Sequence, residues 1–393
     1  MDGPTRARRL AVLGGLYLGQ GIVYGFGGFI LVPTLAAAGV SLATQTGILA
    51  LAGVPWVLKL LWGPVLDRFG GLASGRARLF AAAAMMAMAM ALATMASRAQ
   101  LAGEPATVAW LWLLLNVALS LQDVATDALV IDQVPAQQRG VANGVLLGGH
   151  HLGAEGIGSL GLGMVVASQG LSSALWVQAG LMVLLAGLPL MLPAVPTSAP
   201  RRDAGGTDGE RGRLGAGLRR VLMRPAALRV AVIAALVLAA DVVTSAVSGD
   251  FWVNRLHWSV EALSSVLAPL LLVTNLLAYG LTTVVVDRVG RGRAAAMASV
   301  ALGGLWIGFG LLPGLWATNA FVLGFVVAQA LVTAVLYVGL HAALMNATEP
   351  RVRASHFAVL MALLNLPRVA MVPAAASLVA ALGFSGLFVA AGA

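Results

Sequence analysis

Asp67-Arg68-Phe69-Gly70 and Asp287-Arg288-Val289-Gly290 are two copies of one pattern, set about half a chain apart. Each closes a long apolar run. Each is followed by further arginines: Arg76 and Arg78 after the first, Arg291 and Arg293 after the second. A polar motif repeated at the ends of equivalent runs predicts two related halves. Working outward, the other basic residues fall into clusters of the same kind. They are Arg6, Arg8 and Arg9, then Arg139, then a run from Arg201 to Arg229, then Arg351 and Arg353. These clusters occupy alternate gaps between the apolar runs; the intervening gaps hold Arg98 and Arg255. Lys and Arg resist translocation, so the alternation assigns the arginine-rich gaps and the N-terminus to the cytoplasm. The chain reads as an all-α polytopic membrane protein.

Composition agrees with that reading. Of 393 residues, 60% are hydrophobic and 10% charged, too few charges for a soluble surface. Mean hydropathy is +0.92. The net charge of +9 would suit a nucleic-acid partner. The arginines border membrane spans and no nucleic-acid-binding motif occurs, so that class is set aside. The chain has no cysteine, which removes disulfides and thiolate metal sites. No cofactor is implied. The apolar stretch from Leu10 to about Ala38 follows a basic start, as in a signal peptide. It is too long for that and carries Tyr17, Gln20 and Tyr24, so it reads as the first transmembrane helix.

Crossing a bilayer takes about 20 apolar residues. Spans are placed near 10–37, 43–66, 78–98, 107–131, 140–167, 172–193, 228–250, 261–286, 294–313, 318–346 and 354–381. A twelfth begins near Phe384 with too few residues before Ala393 to cross. The last helix therefore reads as incomplete: either the chain continues or the helix is a stub. The expected division is an N-terminal six-helix half at 1–194, a cytoplasmic linker at 195–227 and a C-terminal half at 228–393. The linker is rich in Gly, Asp and Arg, the composition of a flexible tether, and ends in a short amphipathic helix. Two parallel six-helix repeats describe the major facilitator architecture.

A family resemblance is sharpest in the first half. The stretch from Gly53 to Arg68, Gly-Val-Pro-Trp-Val-Leu-Lys-Leu-Leu-Trp-Gly-Pro-Val-Leu-Asp-Arg, resembles the "LPYxLKFLWAPLxDR" segment of AmpG-type permeases. The wider group includes acetyl-CoA transporters and RhtX/FptX siderophore permeases. Gln122-Asp123-Val124-Ala125-Thr126-Asp127-Ala128 is similar to the group's "QDIATDA". Arg139-Gly140-Val141-Ala142-Asn143-Gly144, with Gly148-Gly149-His150-His151-Leu152-Gly153 after it, looks like "RGxxNGxxxGGYRLG", with His151 where the group usually has Arg. The likeness covers spans one to five and fades beyond. AmpG proteins resemble a fourteen-helix variant, and this chain has room for at most twelve, which points to the shorter, siderophore-type branch.

Polar residues inside the spans are the candidate site. Asn116, Ser120, Asp123 and Asp127 share one face of span four. Two carboxylates on one face deep in a membrane are not both ionised cheaply, as a proton-coupling site requires. The alternative is a hydrogen-bonded network that locks spans together. His151 and Glu155, one turn apart in span five, offer a second proton relay. His150 and His151 are adjacent and so point apart, which argues against a metal. The resemblance implies a central cavity lined by spans one, four, seven and ten. Span one offers Tyr17, Gln20 and Tyr24. Span seven offers Asp241, Thr244 and Ser248. Span ten offers Gln329, Thr333, Tyr337 and His341. Each Tyr, Thr or Ser among these, taken alone, reads equally well as interhelical glue.

Lys59 and Arg368 are the two cations inside apolar runs. The favoured reading pairs Lys59 with Asp123 or Asp127, because a paired charge costs far less than a lone one; the alternative has Lys59 and Arg368 together hold an anionic substrate's carboxylates. Stacking on Trp56 and Trp62 is a further expectation. Arg368, which follows Asn365 and Pro367, is assigned to an anionic substrate. The resemblance implies a conformational latch of Asp67, Arg68, Arg76, Asp287 and Arg288 at the cytoplasmic ends of spans two and eight. The combined reading is a monomeric secondary transporter of the bacterial inner membrane. It would import a polar anionic solute, a siderophore or a peptidoglycan fragment, with protons, by alternating access between lipid-embedded halves. The rivals are an efflux antiporter and a membrane assembly factor without transport. No nucleophile–base set supports an enzyme.

Overall fold

The computed structural model describes residues 3–62, 76–98, 100–135, 139–193, 225–347 and 363–393. Among them, nine helical stretches are long and apolar enough to cross a membrane. Span one runs as Gly3–Phe26, loosens into a π-helical turn at Gly27–Leu31 and continues as Val32–Ala37. Ser41 caps span two, Leu42–Val57, by accepting from the Thr44 N–H at 3.3 Å. Pro55 lies inside that helix and removes one ladder donor. The chain then tightens into a 3-10 turn at Leu58–Leu61, which carries Lys59. Span three is Ala77–Ala96 and span four Pro105–Gln133.

Span five starts at Arg139–His151, passes through the long π-helical segment Leu152–Gly161 and enters Leu162–Ala186. Gly170, at φ 86°, breaks that last helix and so divides span five from span six. In the second half, Gly383 at φ 67° breaks Val372–Gly392 in the same way, between span eleven and a short last helix. Glycine takes such a φ without steric cost, so each half makes this corner without a loop. Between these corners lie span seven (Pro225–Asp250, then a π turn at Phe251–Arg255) and span eight. Span eight is Val260–Ala262, a π turn at Leu263–Leu267 and Ala268–Val289. Spans nine and ten are Arg291–Leu311 and Asn319–Ala347.

Three apolar cores result. The first joins spans one, three, four and six through Leu13, Phe26, Met88, Leu115 and Met182. The second is aromatic: Phe251, Trp306, Phe309, Trp316 and Phe388 share it, with Phe309 stacked on Phe325 at 3.9 Å between ring centroids. The third, with Ala50, Val247, Val372 and Leu387, joins span two to spans seven, eleven and twelve and so knits the halves together.

Spans one and five touch backbone to backbone. A Cβ on Gly25 would lie 1.8 Å from the Ala154 carbonyl oxygen, and one on Gly153 would lie 2.2 Å from that of Leu18. At the end of span six, carbonyls left open by the helix terminus accept from three other spans. Arg8 donates to Met191, Arg78 to Leu192 at 2.6 Å, and Gln133 to Pro193. Most of the expected linker at 195–227, together with Asp67 and Arg68, lies outside the described residues.

Candidate functional site

The polar face of span four meets span two rung by rung. The Trp56 indole donates to Asn116 at 3.2 Å and the Trp62 indole to Ser120 at 2.9 Å. Beyond them, Lys59 bonds Asp123 and also reaches Asp127 at 3.3 Å. The expected Trp–Lys–Trp stack is thus replaced by a ladder, in which the indole N–H groups find acceptors on span four. Span one closes the other side. Tyr17 donates to Asp127 at 3.1 Å, and Gln20 donates to both Gln122 and Asp123.

The two acids differ in environment. The Asp123 side chain is 9% exposed and the Asp127 side chain 48%. Asp123 is therefore fixed within the helix pack, and Asp127 stands at its edge. Lys59 with two carboxylates leaves one negative charge uncompensated by its own cluster.

Arg368, of the second half, packs on spans one and two of the first. Its Nη1 donates to the Tyr24 phenol at 2.6 Å, and its guanidinium stands 5.9 Å from the Tyr24 ring centroid. Span two makes room for it: a Cβ on Gly53 would meet the Arg368 Cβ at 3.2 Å. Among the described residues no carboxylate comes within ion-pair distance, 4.0 Å, of Arg368. Asp241 acts on it from further off and accepts from Tyr337 at 3.1 Å. Tyr24 also packs edge-on to Trp56 and His150, so the phenol that caps the guanidinium is itself held by two further rings.

The remaining candidates are placed as follows. Gln329 and Asn365 are half-buried. The Thr333 hydroxyl is buried with no hydrogen-bond partner among the described residues. Thr244 bonds back to its own helix at Ala240, and Ser248 does the same at Ser245. The side chains of His341 and Asp287 lie outside the described set, and Arg76 and Arg288 are exposed.

His151 and Glu155 do come together, at 3.3 Å, and the structure adds residues of span eight to them. Asn275 donates to Glu155 at 2.9 Å, and Tyr279 packs on the His151 ring at 4.9 Å. Reading the sequence did not single out Asn275 and Tyr279, although they stand one turn apart in an apolar run, the signal used elsewhere. Gln45 and Asp250, bonded at 3.3 Å, were missed as well, because both sit near span ends, where polar residues are ordinary.

Residues 16–302 match the family model described as Major Facilitator Superfamily. The chain belongs to this family. It is accordingly a multi-pass membrane transporter, not an enzyme. Within the superfamily it is similar to the anhydromuropeptide permease of Escherichia coli (strain K12), with 28% identity over 158 residues. That match spans 39% of this chain and 31% of the permease. A mutant of the nucleoside transporter NupG superposes with a TM-score of 0.73 at 14% identity, over 98% of this chain and 96% of that one. An inward-facing bacterial homologue of the human lysosomal transporter Spinster gives 0.72 at 17% identity, over 97% and 84%. These likenesses fix the fold. In this facilitator, then, a tightly paired cation serves the first half, and a cation capped by a phenol stands where the halves meet.

Proposed function

We propose that this transporter imports a medium-sized anionic solute across the bacterial inner membrane, together with protons, by alternating access of its two halves. One contrast carries the reading: Lys59 faces two carboxylates, whereas Arg368 faces a phenol. A guanidinium in the hydrocarbon region costs roughly 3 kcal/mol or more unless water or an anion compensates. Its planar fork matches a carboxylate. Arg368 is therefore assigned to the solute's anionic group. Asp127, the exposed acid, is assigned to the proton. Taking up a proton there neutralises the excess charge of the Lys59 cluster.

The solute is a peptidoglycan fragment in this reading, with a siderophore as the alternative. The partial match to the anhydromuropeptide permease supports the first. The protein works as a monomer, with its N-terminus in the cytoplasm. Purified protein in liposomes, given an inward proton gradient, tests the proposal with labelled anhydromuropeptide and labelled ferric siderophore in parallel. Accumulation of either above equilibrium supports proton-coupled import. Accumulation of neither, with binding of neither in detergent, removes it.

A further inference from the structure

We propose that the solute held at Arg368 also bears a protonated amine, and that Asp241, with the phenols of Tyr337 and Tyr279 near it, is the subsite for that ammonium group. This rests on the anionic-solute reading above and narrows it to a dipolar solute, one with both a carboxylate and an ammonium.

Asp241 of span seven and Arg368 of span eleven carry opposite charges, and each feels the other's field. They do not pair: among the described residues no ion pair within 4.0 Å joins them. Each is capped by a tyrosine instead. Arg368 donates to Tyr24 at 2.6 Å, and Asp241 accepts from Tyr337 at 3.1 Å. A site that had only to hide two charges would join them, because a paired ion costs far less than a lone one away from water. Here two neutral caps keep them separate, and a charged group of the solute can take the place of either cap.

The first half gives the contrast. Its acids Asp123 and Asp127 share Lys59, Tyr17 and Gln20. Asp241 is half-buried and has one neutral donor, whereas an ionised carboxylate can accept at about four positions. Tyr279 of span eight feels the charge of Asp241, and Tyr337 interacts with both. A carboxylate beside aromatic rings suits an ammonium, which is drawn to the charge and to the ring faces. Thr333, one turn before Tyr337 on the same face of span ten, has a buried hydroxyl with no partner among the described residues. It adds an unfilled acceptor for a group with three donors.

The charge count favours the same solute. Away from their ends, the described spans carry two cations, Lys59 and Arg368, and four acids, Asp123, Asp127, Glu155 and Asp241. A solute with negative charge alone would add to that excess of acids. An ammonium on the same solute offsets it.

Binding in detergent tests this with two pairs of compounds. One pair is an anhydromuropeptide with a free amine on its peptide and the same compound N-acetylated there. The other is an amine-bearing ferric siderophore and its N-acetylated form. Within the pair that binds, the wild type should hold the free amine at least about tenfold more tightly, the size of one charge-assisted contact. Asp241→Asn keeps an oxygen to accept from Tyr337. It should hold both forms equally, about as tightly as the wild type holds the acetylated one, so the acetylated form reports that the variant is folded. Asp241→Glu should keep the preference for the amine. Arg368→Lys should weaken both forms alike and keep the preference too. Equal binding of the two forms by the wild type, with gradient-driven uptake intact, overturns the amine subsite and leaves the anionic-solute reading standing. A preference that survives Asp241→Asn also overturns it, by placing the amine elsewhere. So does an Asp241→Asn variant that binds neither form, since Asp241 would then serve the fold. Binding of neither pair by the wild type removes both readings.

Discussion

Arg368 of span eleven donates to the Tyr24 phenol of span one at 2.6 Å, so a cation of one half is capped by a neutral group of the other. A phenol satisfies one guanidinium donor and leaves the charge uncancelled. An arriving carboxylate offers both charge and fork geometry, and would exchange for the phenol.

Arg368→Lys tests that exchange. Lysine keeps the charge and loses the fork. The variant should insert and fold, and should bind the solute at least roughly tenfold more weakly, about 1.4 kcal/mol. Binding in detergent reads this directly. Unchanged affinity with a lowered melting temperature would instead make Arg368 a structural partner of Asp241.

Asp127→Asn should abolish uphill uptake and leave solute exchange intact, since exchange needs no net proton release. Asp123→Asn should be similar or milder, because Lys59 keeps Asp127 as a partner. Counterflow and gradient-driven uptake in the same liposomes separate the two steps. Normal accumulation by both variants would return the span-four acids to a structural role.

Lys59→Met leaves two acids facing each other without their cation. Removing one partner from a buried ion pair costs about 3–5 kcal/mol. Thermal unfolding in detergent should show a loss near that range, and adding Asp123→Asn should recover most of it. A single variant as stable as the parent would mean that water, not Lys59, solvates these carboxylates.

Orientation is tested by Arg213→Cys and Leu256→Cys in the cysteine-free background. The arginine-rich gaps predict the first in the cytoplasm and the second in the periplasm. A membrane-impermeant maleimide should label them from opposite faces. Labelling from one face overturns the arrangement of spans.

Much of this was legible in the sequence because membrane proteins write their fold in composition. Long apolar runs set the helices. The shared face of Asn116, Ser120, Asp123 and Asp127 follows from helical periodicity, and the structure puts all four against span two. Partner choice across helices was less legible. Periodicity places Trp56 and Trp62 near Lys59, yet it does not say that their indoles turn to span four. Asn275 joins Glu155 only through the packing of spans five and eight, which no local pattern encodes. The π turns were invisible for a similar reason: they arise where an extra residue is absorbed to keep a contact, and their composition is that of any apolar helix.

The glycine seam between spans one and five gives a prediction in which sign matters more than size. Alanine is about 1 kcal/mol better than glycine inside a helix, so Gly→Ala in an open place should stabilise slightly. Gly144 of span five is such a place, with nothing within 4 Å of an added Cβ. At Gly25 the same methyl would lie 1.8 Å from the Ala154 carbonyl oxygen. That obstacle is backbone, so no side chain can swing aside, and the two helices must separate. Overpacking of this kind costs about 1–3 kcal/mol, more than the propensity gain. Gly144→Ala should therefore melt at or slightly above the parent in detergent. Gly25→Ala should melt several degrees lower and accumulate poorly in the membrane. Equal melting of the two variants would mean that spans one and five do not form a rigid unit.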